Sequence, residues 1–271
     1  MSIQNREPTI FHITHPKAGS QWVMQVLHEC VPDRFVKPLP KVAHFKKSGL
    51  LPGMFYPTIY LNRQEFNTVI APWREGGDLA VWSLSNLRNY SRNWLLFSLQ
   101  CQPYKTFVVI RDLRDTLVSL YFSLKYSHPV LHDKISDQRA NLMEMTDEEG
   151  LSYLLKKRLS KYHQIQTSWK GEKTLLVKYE DLIVDEAIGF QKIINHCEIQ
   201  VSPEHLQNVL ERNNFQARSG RPKGVEDISS HHRKGIAGDW ANHFTDQLKK
   251  EFKVLFGKTL IETGYEKDLE W

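Results

Sequence analysis

Residues 15–22 (HPKAGSQW) carry the types and spacing that an anion-binding turn requires. An apolar run precedes them and a helical pattern follows, so free backbone N–H groups and a helix dipole would face an anion. Lys17 adds a positive charge, but it precedes Gly19, so the GxxxxGK[ST] pattern is absent. Taken alone, the segment is equally typical of an ordinary strand-to-helix turn with a surface lysine.

Residues 111–119 (RDLRDTLVS) repeat this arrangement after a second apolar run. Arg111 would leave the carboxyl end of a strand, and Ser119 would lie on the helix that follows. A guanidinium group and a hydroxyl make a suitable clamp for phosphate. Asp115 is predicted to cap the helix. The alternative is an exposed turn stabilised by ion pairs.

Two further segments complete the set. Tyr179, in the KYEDL segment 178–182, follows a third apolar run, where a nucleotide base or ribose would lie if the first two turns hold phosphates. Residues 233–240 (RKGIAGDW) are basic and contain glycine, which is typical of a loop that closes over an anionic cofactor. By itself, the last segment could equally be a surface loop.

The elements that must position these segments predict an α/β fold: a single domain with a central parallel sheet flanked by helices. Continuous apolar runs indicate buried parallel strands at 9–14, 106–110 and 174–177. Helical patterns cover 20–30, 115–126, 149–170, 186–197, a helix capped by Ser202, and 245–256, with Gly257 placed to end the last. Residues 32–57 are predicted to form a long loop. Ligands of such sheets bind at the carboxyl ends of the strands.

Length and composition fit one domain spanning residues 1–271. With 41% hydrophobic and 25% charged residues, the chain is neither disordered nor collagen-like. A formal charge of +5 does not suggest a nucleic-acid partner, although it suits a small anionic ligand. Cys30, Cys101 and Cys197 form no CxxC pair, so we expect no zinc site and no disulfide framework. We expect a cytoplasmic location, because unpaired cysteines are typical of a reducing compartment. No apolar run approaches the ~18 residues of a membrane span.

Taken together and in this order, the motifs resemble those of the cytosolic sulfotransferases. That family moves a sulfuryl group from 3′-phosphoadenosine 5′-phosphosulfate (PAPS). Its PKSGTTW motif is matched by PKAGSQW at 16–22, and its RNPRDxxVSxYxF motif by RDLRDTLVSLYF at 111–122. Its YEDL occurs at 179–182. Its RKGxxGDWxNxFT occurs at 233–245, with Ala241 where the family usually has lysine.

The resemblance implies a P-loop-like nucleotide-binding core, PAPS as co-substrate, no metal, and a small-molecule acceptor carrying a hydroxyl or an amine. For the 5′-phosphosulfate, the implied contacts are Lys17 and the backbone of Ala18, Gly19, Ser20 and Gln21. For the adenine, they are Trp22, Tyr179 and Phe215. For the 3′-phosphate, they are Arg111, Ser119, Arg233, Lys234 and Gly235. The structural alternative for Trp22 is a core aromatic.

The catalytic histidine of the family, in a KTHLP-like segment before the second strand, has no counterpart that the sequence reveals. One register places that segment near 88–90 (RNY), the other at 57–61 (PTIYL), and neither contains histidine. His44 and His128 are the preferred candidates for a catalytic base. The further candidates are His15, Glu75 and Asp78.

Two more segments depart from the family. The usual dimerisation segment KxxxTVxxxE keeps only its threonine in residues 241–250, so we expect a monomer or a different dimer. Residues 71–104 combine tryptophans and arginines and form either an acceptor-side lid or insertion, or a helix pair that packs on the sheet.

Two other functions remain open on the sequence. One is a phosphotransferase related to the P-loop kinases, which would need Mg²⁺ and a GK[ST] loop. The other is a non-catalytic module that binds 3′,5′-bisphosphate nucleotides on the same fold, which the missing histidine suggests. The retained Lys17 argues against the second, because binding alone does not require a charge at the transferred group.

Overall fold

The structure is a computed structural model that describes residues 7–48, 50–70, 103–129, 133–169, 171 and 174–271. Within these residues, four parallel strands form one sheet in the order β2-β1-β3-β4. The strands are β1 (Thr9–Thr14), β2 (Phe55–Ile59), β3 (Tyr104–Ile110) and β4 (Thr174–Lys178). The predicted α/β class with a central parallel sheet is confirmed.

Helices cover both faces of this sheet. In chain order, the described helices are α1 (Ser20–Cys30), α2 (Val42–Ser48), α3 (Arg63–Ile70), α4 (Leu113–Phe122), α5 (Asp133–Glu144), α6 (Asp147–Ser168), α7 (Tyr179–Val184), α8 (Glu186–His196), α9 (Pro203–Asn213), α10 (Phe215–Ser219) and α11 (Asp246–Glu262). A π-helical turn, Ser123–Ser127, continues α4. The helices on the two faces leave the carboxyl ends of the strands open for a ligand.

Three apolar clusters hold these layers together. On one face of the sheet, α1, α8 and α9 bury Val23, Phe190 and Val209. On the other face, α2, α3 and α6 bury Phe45 and Phe66 among their neighbours. A third cluster joins α4, α6 and α11. Because burial of apolar area is the main stabilising term, these clusters fix the strand ends relative to one another.

The edge strand β4 differs from the expectation of full burial, whereas the other edge strand, β2, is buried along its whole length. All six residues of β1 are buried, as a continuous apolar run in a central strand predicts. In β4, Leu176 is 42% exposed, because that strand lies at the edge of the described sheet.

The prediction of a long loop over 32–57 is wrong, because this range contains α2 and most of β2. Pro57 interrupts the strand pattern in the sequence, but an edge strand tolerates proline, since one of its sides needs no donor. The pairing of β2 with β1 shifts register between Phe11 and Ile13, and Thr58 has a φ of 59°. The strand therefore ends on an irregular backbone.

Two predicted helix ends are also corrected. The side chain that caps α4 is Asp112, which accepts from the Arg114 N–H at 2.8 Å, and not Asp115. Gly257 does not end α11, which continues to Glu262. A Cβ at Gly257 would lie 2.6 Å from a methyl group of Leu269, so this glycine admits the C-terminal tail against the helix. The Ser202 cap of α9 is confirmed.

Candidate active site

A cavity of about 830 Å³ lies where the four strands end, and the four segments singled out in the sequence meet on its wall. Of the predicted site residues, the wall includes Lys17, Gly19, Ser20, Gln21, Trp22, Arg111, Ser119, His128, Tyr179, Phe215, Arg233, Lys234 and Gly235. Ala18 is fully buried behind the first turn. His44 lies on α2, away from the described wall.

The turn between β1 and α1 has the backbone of an anion-binding site. Lys17 (φ 73°) and Gly19 (φ 76°) both adopt left-handed conformations. When such residues alternate with residues of ordinary conformation, successive backbone N–H groups turn to the same side of the chain. Helix α1 begins at Ser20, so its first N–H groups have no partner within the helix. The turn therefore offers several backbone donors to an anion.

Lys17 adds the charge of its side chain to these donors. Burial, together with the neighbouring cations Arg111 and Arg233, lowers the pKa of Lys17 to about 8. Three cations thus converge on one part of the cavity. Carboxylates already pair with Arg111 and Arg233, and a multiply charged anion would offset the repulsion that these cations still exert on Lys17.

Arg111 connects three of the strand ends. Its Nη1 donates to the Lys17 carbonyl oxygen at 3.2 Å, and its Nη2 donates to the Ile236 carbonyl oxygen at 3.3 Å. Its guanidinium group lies 4.7 Å above the centre of the Tyr179 ring. The Nε atom is buried and has no hydrogen-bond partner among the described residues. Arg111 therefore holds the site together and retains an unused donor.

Two carboxylates anchor the closing loop, 233–240. Asp239 accepts from Arg233 at 2.5 Å and from Lys234 at 2.6 Å. Burial alone would raise the pKa of Asp239, but these hydrogen bonds hold it well below its ordinary value. Asp115, wrongly predicted as a helix cap, accepts from the backbone N–H groups of Gly238 and Trp240 at 2.7 and 2.9 Å. The anchoring role of Asp239 was missed, although an acid four residues after the RKG motif was a visible signal.

The aromatic side of the cavity combines two roles for Trp22. Its ring lines the cavity and packs against Phe190, with the ring centres 5.2 Å apart, and against Tyr179 at 6.3 Å. Core packing and ligand contact are thus compatible at this position. Phe215 lies against Gly235, where a Cβ would overlap its ring, so glycine lets the closing loop approach that ring.

Part of the cavity wall was not predicted from the sequence. The residues on it that the motifs missed are Tyr60, Leu120, Leu124, Ile135, Gln138, Arg158, Tyr162, His231 and His232. Of these, Tyr60 and His231 lie near the turn at Lys17. Arg158 donates to the Gln138 side-chain oxygen at 2.6 Å. Burial and the nearby Lys17 charge lower the pKa of His231 to about 4. The part of this wall at Leu120, Leu124 and Ile135 offers an apolar surface with a few polar groups.

The candidate bases separate clearly in space. His128 lies on the cavity wall, just past the π-helical turn. His15 is fully buried, with Nε2 2.7 Å from the Gln166 side-chain nitrogen and Nδ1 2.9 Å from the Pro16 carbonyl oxygen. Glu75 and Asp78 lie outside the described residues, as does nearly all of segment 71–104.

Over the described ranges, no three histidine, cysteine, aspartate or glutamate side chains are grouped to hold a metal ion. None of the helices described above combines the length and the apolar character that crossing a bilayer requires. Cys30 and Cys197 are buried and carry free thiols. Cys101 lies outside the described part of the chain.

A family model described as the sulfotransferase domain matches residues 7–264. Human sulfotransferase 1E1 is 30% identical over 97% of this chain and 87% of its own length. Mouse sulfotransferase 1 family member D1 is 24% identical over 97% of this chain and 86% of its own length. The range matched by the family model includes every residue that lines the cavity.

Solved structures share the fold. The crystal structure of mouse sulfotransferase SULT7A1 complexed with PAP has a TM-score of 0.65 at 19% identity, over 98% of this chain and 89% of that one. Retinol dehydratase, solved with androsterone and inactive cofactor PAP, has a TM-score of 0.54 at 15% identity, over 95% of this chain and 82% of that one. At these identities, the likeness describes the architecture.

Proposed function

We propose that this chain, which belongs to the sulfotransferase family, uses PAPS as donor and binds it across the turn at Lys17, Arg111 and the closing loop. The class of reaction, sulfuryl transfer, follows from family membership. The donor and the role of each residue are the proposal. The observation that carries it is the convergence of three cations and a row of free N–H groups on one cavity.

We assign each end of PAPS to a part of the site from the positions of the charged residues. The turn at Lys17 would hold the 5′-phosphosulfate, since its N–H groups and ammonium converge there. Arg111, Ser119 and the closing-loop residues Arg233 and Lys234 would hold the 3′-phosphate. The orphan Nε of Arg111 supports this, because a buried donor without a partner is costly unless a ligand satisfies it.

Lys17 would also act in the transfer step. As the acceptor oxygen bonds to sulfur, the bond from sulfur to the bridging oxygen breaks, and its electron pair stays on the 5′-phosphate. A cation beside that oxygen stabilises the charge as it develops. The positive charge of Lys17 therefore matters more for turnover than for binding.

The acceptor would occupy the end of the cavity that contains Leu120, Leu124 and Ile135. An apolar wall of this size suits a small molecule with a hydrophobic body. Gln138 and Arg158 add polar contacts at its rim. His128 lies at the same end, where we propose that it contacts the acceptor.

A screen for acceptors tests the proposal. The full chain is incubated with PAPS and a panel of phenols, alcohols, amines and natural-product metabolites, and products are detected by a mass gain of one sulfuryl group. We expect products from at least one acceptor class. Tight binding of adenosine 3′,5′-bisphosphate (PAP) with no product from any acceptor would favour a binding module instead. Turnover of ATP that depends on Mg²⁺ would favour a phosphotransferase.

The lowered pKa of Lys17 predicts an alkaline limit to activity. Because that pKa is about 8 in the free protein, the ammonium is charged below this pH and neutral above it. The value of kcat/KM for PAPS should therefore fall as the pH rises through about 8. In Lys17→Arg, whose guanidinium stays charged, the limit should disappear. An unchanged alkaline limit in Lys17→Arg would assign it to another group.

The surface at residues 241–250 predicts that no dimer forms there. The Asp246 side chain is 91% exposed and pairs with Lys249 at 3.5 Å. Burying this pair in a contact would cost its hydration. Light scattering should give the same mass for the wild type and for Asp246→Lys. A change of mass in that variant would mean that the segment forms an interface.

We also propose a cytoplasmic location, on the state of the cysteines. Cys30 and Cys197 are free thiols in the apolar interior, and burial raises the pKa of both, to about 11 and about 12. Unpaired cysteines of this kind are typical of proteins kept in a reducing compartment.

A further inference from the structure

The end of β2 carries backbone strain beside the proposed reaction centre. Thr58 has a φ of 59°, a left-handed conformation that is a genuine outlier for a β-branched residue. The register of β2 against β1 also shifts at this level of the sheet. Bulges and strained residues of this kind re-aim the side chains that follow them. The strand ends at Ile59, and Tyr60 is the next residue, two positions after Thr58.

Tyr60 projects into the cavity next to the anion-binding turn. Its hydroxyl lies 3.4 Å from Oγ of Ser20, the first residue of α1. Both side chains line the cavity. A distance of 3.4 Å is long for a bond between hydroxyl groups, and such contacts in ligand-free sites often tighten when substrate binds. The strained strand end thus brings a phenol to the turn proposed to hold the phosphosulfate.

We propose that Tyr60 and Ser20 form a proton relay that carries the acceptor proton to the leaving 5′-phosphate. The relay rests on the proposed function, since it requires PAPS on the turn. It removes the need for a histidine in the segment 57–61, where the sequence has none. Burial raises the pKa of Tyr60, so the phenol is neutral at pH 7 and passes a proton on rather than storing one.

The relay balances protons and electrons. The acceptor oxygen forms its bond to sulfur and gives its proton to the Tyr60 oxygen. Tyr60 gives its own proton to Ser20 Oγ, and Ser20 gives its own to an oxygen of the 5′-phosphate, which has just received the electron pair of the broken S–O bond. Tyr60 and Ser20 both end neutral, as they began. The leaving group is the final base.

His128 is the competing destination for this proton. It lines the cavity just past the π-helical turn, and His231 lies near it on the same cavity wall. Tyr60, by contrast, contacts α1 directly through Ser20. The contact to the donor-binding turn favours Tyr60, because proton transfer requires groups within hydrogen-bond reach of the reacting atoms.

The test measures how kcat depends on acceptor acidity. The full chain and its variants are given PAPS and a series of 4-substituted phenols of increasing acidity. Tyr60→Phe should lower kcat by about 100-fold on the least acidic phenol, a typical effect of losing proton transfer. The loss should shrink towards the most acidic phenol, which ionises unaided. Ser20→Ala, which keeps its backbone N–H, should give the same steeper dependence, and the double variant should lose no more than either single one.

Tyr56→Phe is the matched control, since Tyr56 lies on β2 four residues before Tyr60, and its hydroxyl accepts from the Leu51 N–H instead of facing the cavity. Its kcat should equal that of the wild type. Equal kcat for Tyr60→Phe and the wild type across the series would overturn the relay. So would a steeper acidity dependence in His128→Gln but not in Tyr60→Phe. If the wild type sulfated no phenol and no other acceptor, the proposed function itself would fail.

Discussion

Lys17→Ala should lower kcat by ~10²–10³-fold, the usual effect of removing one group that stabilises developing charge. Its affinity for PAP should remain close to that of the wild type. Lys17 lies on the turn that leads into α1, and the free N–H groups of that helix would still be available to a phosphate after the side chain is removed. Initial rates with saturating PAPS, together with calorimetric titration of PAP, measure the two effects separately.

Lys249→Ala is a suitable control, because Lys249 pairs with Asp246 at the surface and lies off the described cavity wall. Its kcat should not change. Near-normal turnover in Lys17→Ala would remove this residue from the transfer step. Equal losses of turnover and of PAP affinity would mean that Lys17 contributes only binding.

The Arg111→Ala and Arg233→Ala substitutions should each weaken the binding of PAP by roughly 1.5–3 kcal/mol, or about 10- to 150-fold in the dissociation constant. Each substitution would remove a charge-assisted contact to the 3′-phosphate. Adenosine 5′-phosphate, which lacks that phosphate, should be affected much less. The ratio of the two dissociation constants is the measured quantity. It is independent of the fraction of each variant that is folded, which matters because Arg111 also donates to the Lys17 and Ile236 carbonyl groups.

Arg212→Ala serves as the control for these two variants, since Arg212 is an exposed arginine paired with Glu29. It should leave both dissociation constants unchanged. If Arg111→Ala and Arg233→Ala weakened the binding of both nucleotides equally, the 3′-phosphate would have to bind elsewhere.

The sequence predicts the central elements because their patterns are local. The apolar runs at 9–14 and 174–177 correspond closely to β1 and β4. A continuous apolar run can be recognised in the sequence without knowledge of its tertiary contacts. β2 was not predicted, because Pro57 contradicts a strand and only the edge position of β2 makes it acceptable. The position of Gly257 inside α11 is not predictable from the sequence for a similar reason: the contact with Leu269 that explains it is 12 residues away in the chain.

The site divides in the same way. The motif residues on the proposed nucleotide side were predicted because their types carry their chemistry, and the structure brings Lys17, Arg111 and Arg233 together. Asp115 was assigned to a cap from its position in the sequence, whereas its partners, Gly238 and Trp240, lie far along the chain. The proposed acceptor end could not be predicted, because its wall comes from separate helices without a shared motif.

The most direct test of sulfuryl transfer by this cavity is a label balance. PAPS labelled with ³⁵S in its sulfuryl group is incubated with an acceptor found in the screen, and both labelled product and free PAP are counted. The wild type should form one PAP for each labelled product, and Lys17→Ala should form almost none of either. PAP released without labelled product, or labelled product formed equally by Lys17→Ala, would contradict transfer at this site.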